Sequence, residues 1–139
     1  MNKVKIAVFV SGGGTNLEAI LKASEAGKIP HGEFALVLSS SPTAYALERA
    51  KNHGIESVTV SRKEFGDKFE EKITEELEKR GIGMIVLAGF MSILSAEFTN
   101  KYDGRIINVH PSLIPSFCGK GYYGLKVHEA ALAYGVKVT

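Results

Sequence analysis

A chain of 139 residues, 45% of them apolar and 23% charged, has the length and balance of one globular domain with a real core. Its 17 basic and 15 acidic residues leave a net charge of +2 without a long like-charged block, which argues against a basic track for nucleic acid. No apolar run approaches the roughly 20 residues of a bilayer span, Lys3 and Lys5 interrupt any signal-peptide pattern, and a lone cysteine, Cys118, excludes an internal disulfide and suits a reducing, cytoplasmic setting.

Short β-branched runs alternate with helix-period segments along the chain, the pattern of βαβ units around a parallel sheet. The first strand is expected over Val4–Val10 and ends in a glycine loop. A helix starts near Thr15 or Asn16, either of which can cap it, with Leu17, Ile20 and Leu21 on its apolar side and Gly27 and Pro30 as its stop. Phe34–Leu38 is the second strand, and the turn Ser39-Ser40-Ser41-Pro42 is expected to open a helix over Thr43–Asn52 with proline near its first turn. Ser57–Val60 reads as a third strand. From Gly66 to Arg80, Phe69, Ile73 and Leu77 recur at four, so this is an amphipathic helix with a solvated charged face, on which a pair such as Glu75 and Lys79 adds only about a few tenths of a kcal/mol. Met84–Ala88 lacks alternation and is expected to be a central strand buried on both faces. A short helix from Ser95, a strand over Arg105–Val109, a proline- and glycine-rich excursion from Pro111 to Gly124, a helix over Lys126–Ala133 and a last strand from Val136 follow. With no repeat or linker, residues 1–139 read as one α/β domain.

Ser11-Gly12-Gly13-Gly14-Thr15-Asn16 lies between the first strand and the first helix, where backbone N–H groups and the positive helix end can surround an anion. A dinucleotide fingerprint would place a third glycine at Leu17 and an acid where Ser39 and Ser40 stand, and a Walker A loop would end in Lys-Ser/Thr. Those mismatches favour a phosphate monoester over a dinucleotide. The plain alternative is a tight glycine turn with ordinary helix capping.

Asn108-Val109-His110-Pro111-Ser112 closes a later strand, and residues at the carboxyl end of a parallel strand face the usual α/β crevice. Strand alternation turns Asn108 and His110 to the same side, and Pro111 holds His110 extended. An imidazole of unperturbed pKa near ~6.5 can take a proton from an amine or carry charge beside an oxyanion, and the amide can donate to that same oxygen. The pair suits attack on a carbonyl. It does not suit a metal, because His31, His53, His110 and His128 sit on separate elements without ligand spacing. A structural or capping histidine is the alternative for His110 taken alone.

Three segments together carry a resemblance: Ser11-Gly12-Gly13-Gly14-Thr15-Asn16-Leu17, Leu87-Ala88-Gly89-Phe90-Met91-Ser92-Ile93-Leu94, and Asn108-Val109-His110-Pro111-Ser112-Leu113-Ile114-Pro115. In that order and at those separations, the chain resembles the phosphoribosylglycinamide formyltransferases, or glycinamide ribonucleotide transformylases, of the folate-dependent formyltransferase family. The third segment alone is shared with methionyl-tRNA formyltransferase and 10-formyltetrahydrofolate dehydrogenase, and the glycine loop separates this family from them. The resemblance implies a Rossmann-like open, mostly parallel sheet with helices on both faces, and formyl transfer from 10-formyltetrahydrofolate to the amine of glycinamide ribonucleotide in purine synthesis.

By the same resemblance, Gly14, Thr15 and Asn16 match positions that hold the substrate 5'-phosphate. Phe90, Met91, Ser92, Ile93 and Leu94 match the wall and backbone edge beside the folate, with Ser92 standing where some members carry arginine. Asn108 and His110 match catalytic residues. The third catalytic residue of the family, an aspartate on a later loop, is expected beyond the end of this sequence, as are later strands and a C-terminal helix. Lys120 and Tyr122 are further candidates for substrate contact, and Cys118 has nothing near it in sequence to activate it as a nucleophile. The implied partners are two small molecules, with no nucleic acid, no membrane and no metal. A sheet edge left open near Val136 would favour self-association, a homodimer included. Transfer to another amine such as that of a charged tRNA, a non-catalytic phosphosugar- or folate-binding fragment, and a nucleotide-binding regulator are the competing readings.

Overall fold

The apolar run near the N-terminus becomes the middle of a sheet. A computed structural model describes residues 3–109, which fall within one compact unit ending at Val109. Strand β1 is Val4–Val10, β2 Gly32–Ser39, β3 Ser57–Thr59, β4 Met84–Ala88 and β5 Ile106–Val109. They lie in the order β3-β2-β1-β4-β5 with every pairing parallel. The chain works outward from β1 to β3, crosses back to β4, and continues outward to β5. Its change of direction therefore falls between β1 and β4, where open α/β sheets leave a crevice outside the carboxyl ends of the strands.

Alternation along β1 divides the core in two. Val8 and Val10 join Val37 and Ala88 beneath helices α1 (Thr15–Glu25) and α2 (Ala46–Asn52), which contribute Leu17, Leu21, Ala46 and Ala50. Ala7 and Phe9 join Leu36, Leu38 and Ile85 on the opposite face. There they meet Phe69, Ile73 and Leu77 from α4 (Phe69–Lys79) and Phe98 from α5 (Ala96–Lys101). Helices this short are marginal alone. Burial worth about 1.5–3 kcal/mol for each large apolar side chain holds them in place. The expected parallel α/β sheet with helices on both faces is what forms.

Several local expectations shift. The serine-rich turn does not open a helix at Thr43. Ser39 Oγ donates to the Ser41 carbonyl and accepts from the Ser41 N–H at 2.6 and 3.0 Å, and Ser41 Oγ accepts from the Thr43 N–H. These side-chain bonds satisfy the backbone as a turn, and α2 begins only at Ala46. The helix expected from Gly66 instead starts as α3 (Arg62–Phe65), capped by Ser61. Gly66, at φ 52°, interrupts it, and a 3-10 turn over Gly66–Lys68 leads into α4. The charged face of α4 is also not simply solvated. Glu76 is buried and receives Arg80 at 2.6 Å and Lys72 at 3.2 Å, Lys72 rather than Lys79 pairs with Glu75, and Arg80 reaches on to Glu56 ahead of β3. The Arg80 guanidinium, then Lys72, hold the Glu76 carboxyl below its usual range against the opposing effect of burial. Thr15 is the first helical residue of α1 and its N-cap is Gly14, so neither Thr15 nor Asn16 caps with its side chain.

Helices α1 and α2 meet closely at the glycine loop. Gly14 sits at φ 77°, and a Cβ built there would fall 2.7 Å from Ala46 Cβ and 3.2 Å from Arg49 Cδ. Farther along, His53 at the end of α2 binds two carboxylates of α1, Glu18 through Nε2 at 2.7 Å and Glu25 through Nδ1. The bond to Glu18 raises the His53 pKa above its usual value, with Glu25 adding to it and desolvation opposing, while the bond from His53, aided by Arg49, lowers that of Glu18.

Gly14→Ala combines left-handed strain with a clash, and is expected to cost about 2–5 kcal/mol in urea denaturation. A loss under roughly 1 kcal/mol would mean that α2 can simply move aside. The His53 contribution is full below its unfolded pKa and fades as pH rises through its raised folded pKa. The Glu18 contribution is present above its unfolded pKa and fades as pH falls through its lowered one. The stability gap between the native protein and His53→Gln should therefore be widest between about pH 4.5 and 6.5 and close toward alkaline pH. Urea midpoints across pH measure it, and a gap indifferent to pH contradicts the His53–Glu18 linkage.

Candidate active site

The loop Ser11–Gly14 leaves β1 at the β1/β4 switch and runs directly into α1. Each of its three glycine carbonyls is engaged. The Gly12 oxygen accepts from the Ala46 N–H at 3.0 Å, the Gly13 oxygen from Arg49 Nε at 2.7 Å, and the Gly14 oxygen from the Glu18 N–H at 2.9 Å. Because a trans peptide sets its N–H antiparallel to its C=O, each capture turns one N–H the other way, those of Gly13, Gly14 and Thr15 in turn. Among the described residues none of these three N–H groups, nor that of Asn16, meets an acceptor, and the first helical N–H groups have none within a helix. Gly12, Gly13, Thr15 and Asn16 are exposed. Among the described residues the loop is a set of free donors at the positive end of α1. Gly14, Thr15 and Asn16, the residues expected to hold a phosphate, thus present backbone N–H groups there.

The second segment follows β4 through Gly89. Phe90 packs edge-on against Phe9 of β1 with ring centroids 5.3 Å apart. The Met91 N–H donates to Ser11 Oγ at 2.8 Å, and the Ser11 hydroxyl also bonds the Ser40 hydroxyl at 2.5 Å. One hydroxyl at the end of β1 thereby ties together the carboxyl ends of β1, β2 and β4. At the far end, Arg62 donates to the Ile93 carbonyl, and Glu70 accepts from both the N–H and the hydroxyl of Ser95, the residue that caps α5. Fixed at both ends, the strip buries part of Phe90 and Leu94 against the core and leaves Met91 and Ile93 80% and 83% exposed. Exposed apolar side chains on a braced backbone make a wall that a flat, partly apolar ring can cover.

Asn108 lies opposite Leu87 in β4, which lies opposite Phe9 in β1. It is exposed. Residues in register share a face of the sheet, so Asn108 sits on the side of Phe9 and Phe90, two strands from β1, or about 10 Å. His110 lies outside the described residues, as do Cys118, Lys120, Tyr122 and the expected later helix and strand. Free loop donors, a braced apolar strip and an amide therefore share the carboxyl edge of three adjacent strands. They can grip an anion, cover a ring and donate to a developing oxyanion. Among the described residues no three His, Cys, Asp or Glu side chains gather as a metal would require, and no helix is long and apolar enough to cross a membrane. Sequence reasoning did not single out Arg49, which lies 36 residues from the carbonyl it binds. No local signal marks it, because the approach of α2 to the loop is tertiary.

The formyl transferase family model matches residues 4–139. The phosphoribosylglycinamide formyltransferase of Haemophilus influenzae is 39% identical over 136 residues, which is 96% of this chain and 64% of that protein. The trifunctional purine biosynthetic protein adenosine-3 of Gallus gallus is 39% identical over 140 residues, 99% of this chain and 13% of that one. A crystal structure of phosphoribosylglycinamide formyltransferase from Brucella melitensis superposes with a TM-score of 0.85 at 36% identity, covering 98% of this chain and 69% of that one. The chain spans less than two thirds of the length of the Haemophilus and Gallus relatives. Similarity running from residue 4 to residue 139, at these identities, bears out the resemblance carried by the three motifs: the chain belongs to the formyl transferase family.

Proposed function

We propose that the protein transfers a formyl group from 10-formyltetrahydrofolate to the primary amine of glycinamide ribonucleotide, a step of purine biosynthesis. The observation that carries this reading is the meeting of a free-donor loop and a braced apolar strip at one switch point, joined through Ser11. The loop suits a phosphate monoester, and relatives at 38–39% identity bear the name phosphoribosylglycinamide formyltransferase. The weak net charge favours a small phosphorylated amine over a charged tRNA, and the single cysteine suits a cytoplasmic enzyme.

The N–H groups of Gly13, Gly14, Thr15 and Asn16 receive the phosphate and so fix the distance of the amine from the sheet edge. Phe90, Met91, Ile93 and Leu94, with the backbone at Ser92, form the bed for the folate. Bound there, the folate supplies an activated formyl carbon, whose oxygen gains charge when the amine adds to it. Asn108 donates its side-chain N–H to that oxygen without changing charge. His110 adds positive charge or moves the amine proton toward the folate nitrogen, and collapse of the tetrahedral intermediate breaks the bond between that nitrogen and the formyl carbon, leaving the formylated amine and tetrahydrofolate. Holding both reactants in one crevice converts a bimolecular encounter into a local one, and no covalent enzyme intermediate is required.

Asn108→Ala is expected to lower kcat for formyl transfer about 10²–10³-fold while leaving KM for either substrate within about threefold. His110→Ala should lose at least as much. Steady-state assays with glycinamide ribonucleotide and formyl folate decide it, with circular dichroism to verify folding. Undiminished turnover in both folded variants would remove the assignment.

A further inference from the structure

Of the three loop carbonyls, two are held by backbone N–H groups that almost any sequence would supply, at Ala46 and Glu18. Only the Gly13 carbonyl depends on a side chain, that of Arg49. The peptide unit it governs carries the Gly14 N–H, the central donor of the three. We propose that Arg49 is a positioning residue for substrate phosphate: by holding the Gly13 carbonyl toward α2, it keeps the Gly14 N–H turned to the anion. The inference rests on the phosphate-site reading given above and adds the residue that sets the site's geometry.

Arg49 is built for this role rather than for direct ion pairing with substrate. Its guanidinium also donates to Glu18 Oε1 at 3.3 Å and lies 5.0 Å from the centre of the Tyr45 ring. Glu18 balances its charge and is itself fixed by His53. With its side chain 24% exposed, Arg49 is packed along the loop, and its Cδ lies 3.2 Å from where a Gly14 Cβ would be. A planar guanidinium can bind a carbonyl through Nε and a carboxylate through a terminal nitrogen at once, a geometry that lysine lacks. The Glu18 carboxylate, one turn into α1, would repel an anion reaching past the loop. The paired arginine therefore both orients the peptide and screens that carboxylate.

The test compares kcat/KM for glycinamide ribonucleotide with kcat/KM for its dephosphorylated analogue. In the unsubstituted protein the ratio measures what the phosphate contributes. Arg49→Met, which keeps the stem but no donors, should shrink that ratio roughly tenfold or more, as expected when a charged hydrogen-bond donor is lost. It should leave the dephosphorylated amine and KM for formyl folate nearly unchanged. Arg49→Lys keeps charge without the planar fork and should restore only part of the ratio. Full restoration by lysine would assign the effect to charge alone and overturn the proposal. Equal losses on both amines, in either variant, would reduce Arg49 to a structural part and overturn it as well. A third readout needs no substitution: saturating glycinamide ribonucleotide should move the Gly14 amide resonance in the native protein, and an unmoved Gly14 signal sinks the idea whatever the variants do. If the native protein itself shows no preference for the phosphorylated amine, the phosphate-site reading fails. A preference that survives in both folded variants defeats only the role given to Arg49.

Discussion

The glycine loop works because helix α2 can come almost into contact with it. At Gly14 there is no space for a side chain, since a Cβ would sit 2.7 Å from that of Ala46. Ala46, in turn, is fully buried and its N–H reaches the Gly12 carbonyl. Close approach lets α2 capture loop carbonyls, and peptide planarity converts that capture into a row of outward N–H groups. The outward turn of the loop N–H groups thus begins as a packing constraint between two small residues on different elements. The positive end of α1 then adds its field to donors that are already aimed.

Charge around the loop is arranged to hold it. Glu18, Arg49, His53 and Glu25 form a chain of contacts across α1 and α2. The acids are engaged by cations, and among the described residues the loop N–H groups meet no acceptor. Farther away, Arg80 does the equivalent work for the frame, joining α4 through Glu76 to the entry of β3 through Glu56. Burial of Glu76 between two cations turns a surface-looking charge run into a tie between helix and sheet.

Ser11 gives the glycine loop and the strip after β4 a common anchor. Its hydroxyl contacts the Met91 N–H on the β4 side and the Ser40 hydroxyl on the β2 side. A shift of the strip after β4 is therefore felt at the start of the glycine loop. The proposed transfer between two bound molecules requires reacting atoms to be held within a few tenths of an ångström of a productive arrangement. A single hydroxyl linking the strand ends at the switch point is a compact way to hold that spacing. The cluster of Phe9, Phe90 and Leu94 beneath it resists displacement by close packing.

The sequence by itself determined the sheet. The runs Val4–Val10 and Met84–Ala88 could be placed to the residue because short, largely apolar runs that lead into a glycine turn have few other ways to be buried. The glycine loop, the strip after β4 and Asn108 were legible for a related reason, since strand ends are local and the carboxyl edge of a parallel sheet is where such ends gather. The start of α2 at Ala46 was not legible, because two serine hydroxyls bonding nearby backbone compete with helix in a way composition does not reveal. Neither was the bare N-cap of α1 or the role of Arg49 and Ser11 at the loop. Those depend on which helix lies against which strand end, and contacts made across 36 and 80 residues leave no periodic trace in the chain. Tertiary packing decided them, through the room left beside Gly14 and the direction in which each loop peptide was consequently turned.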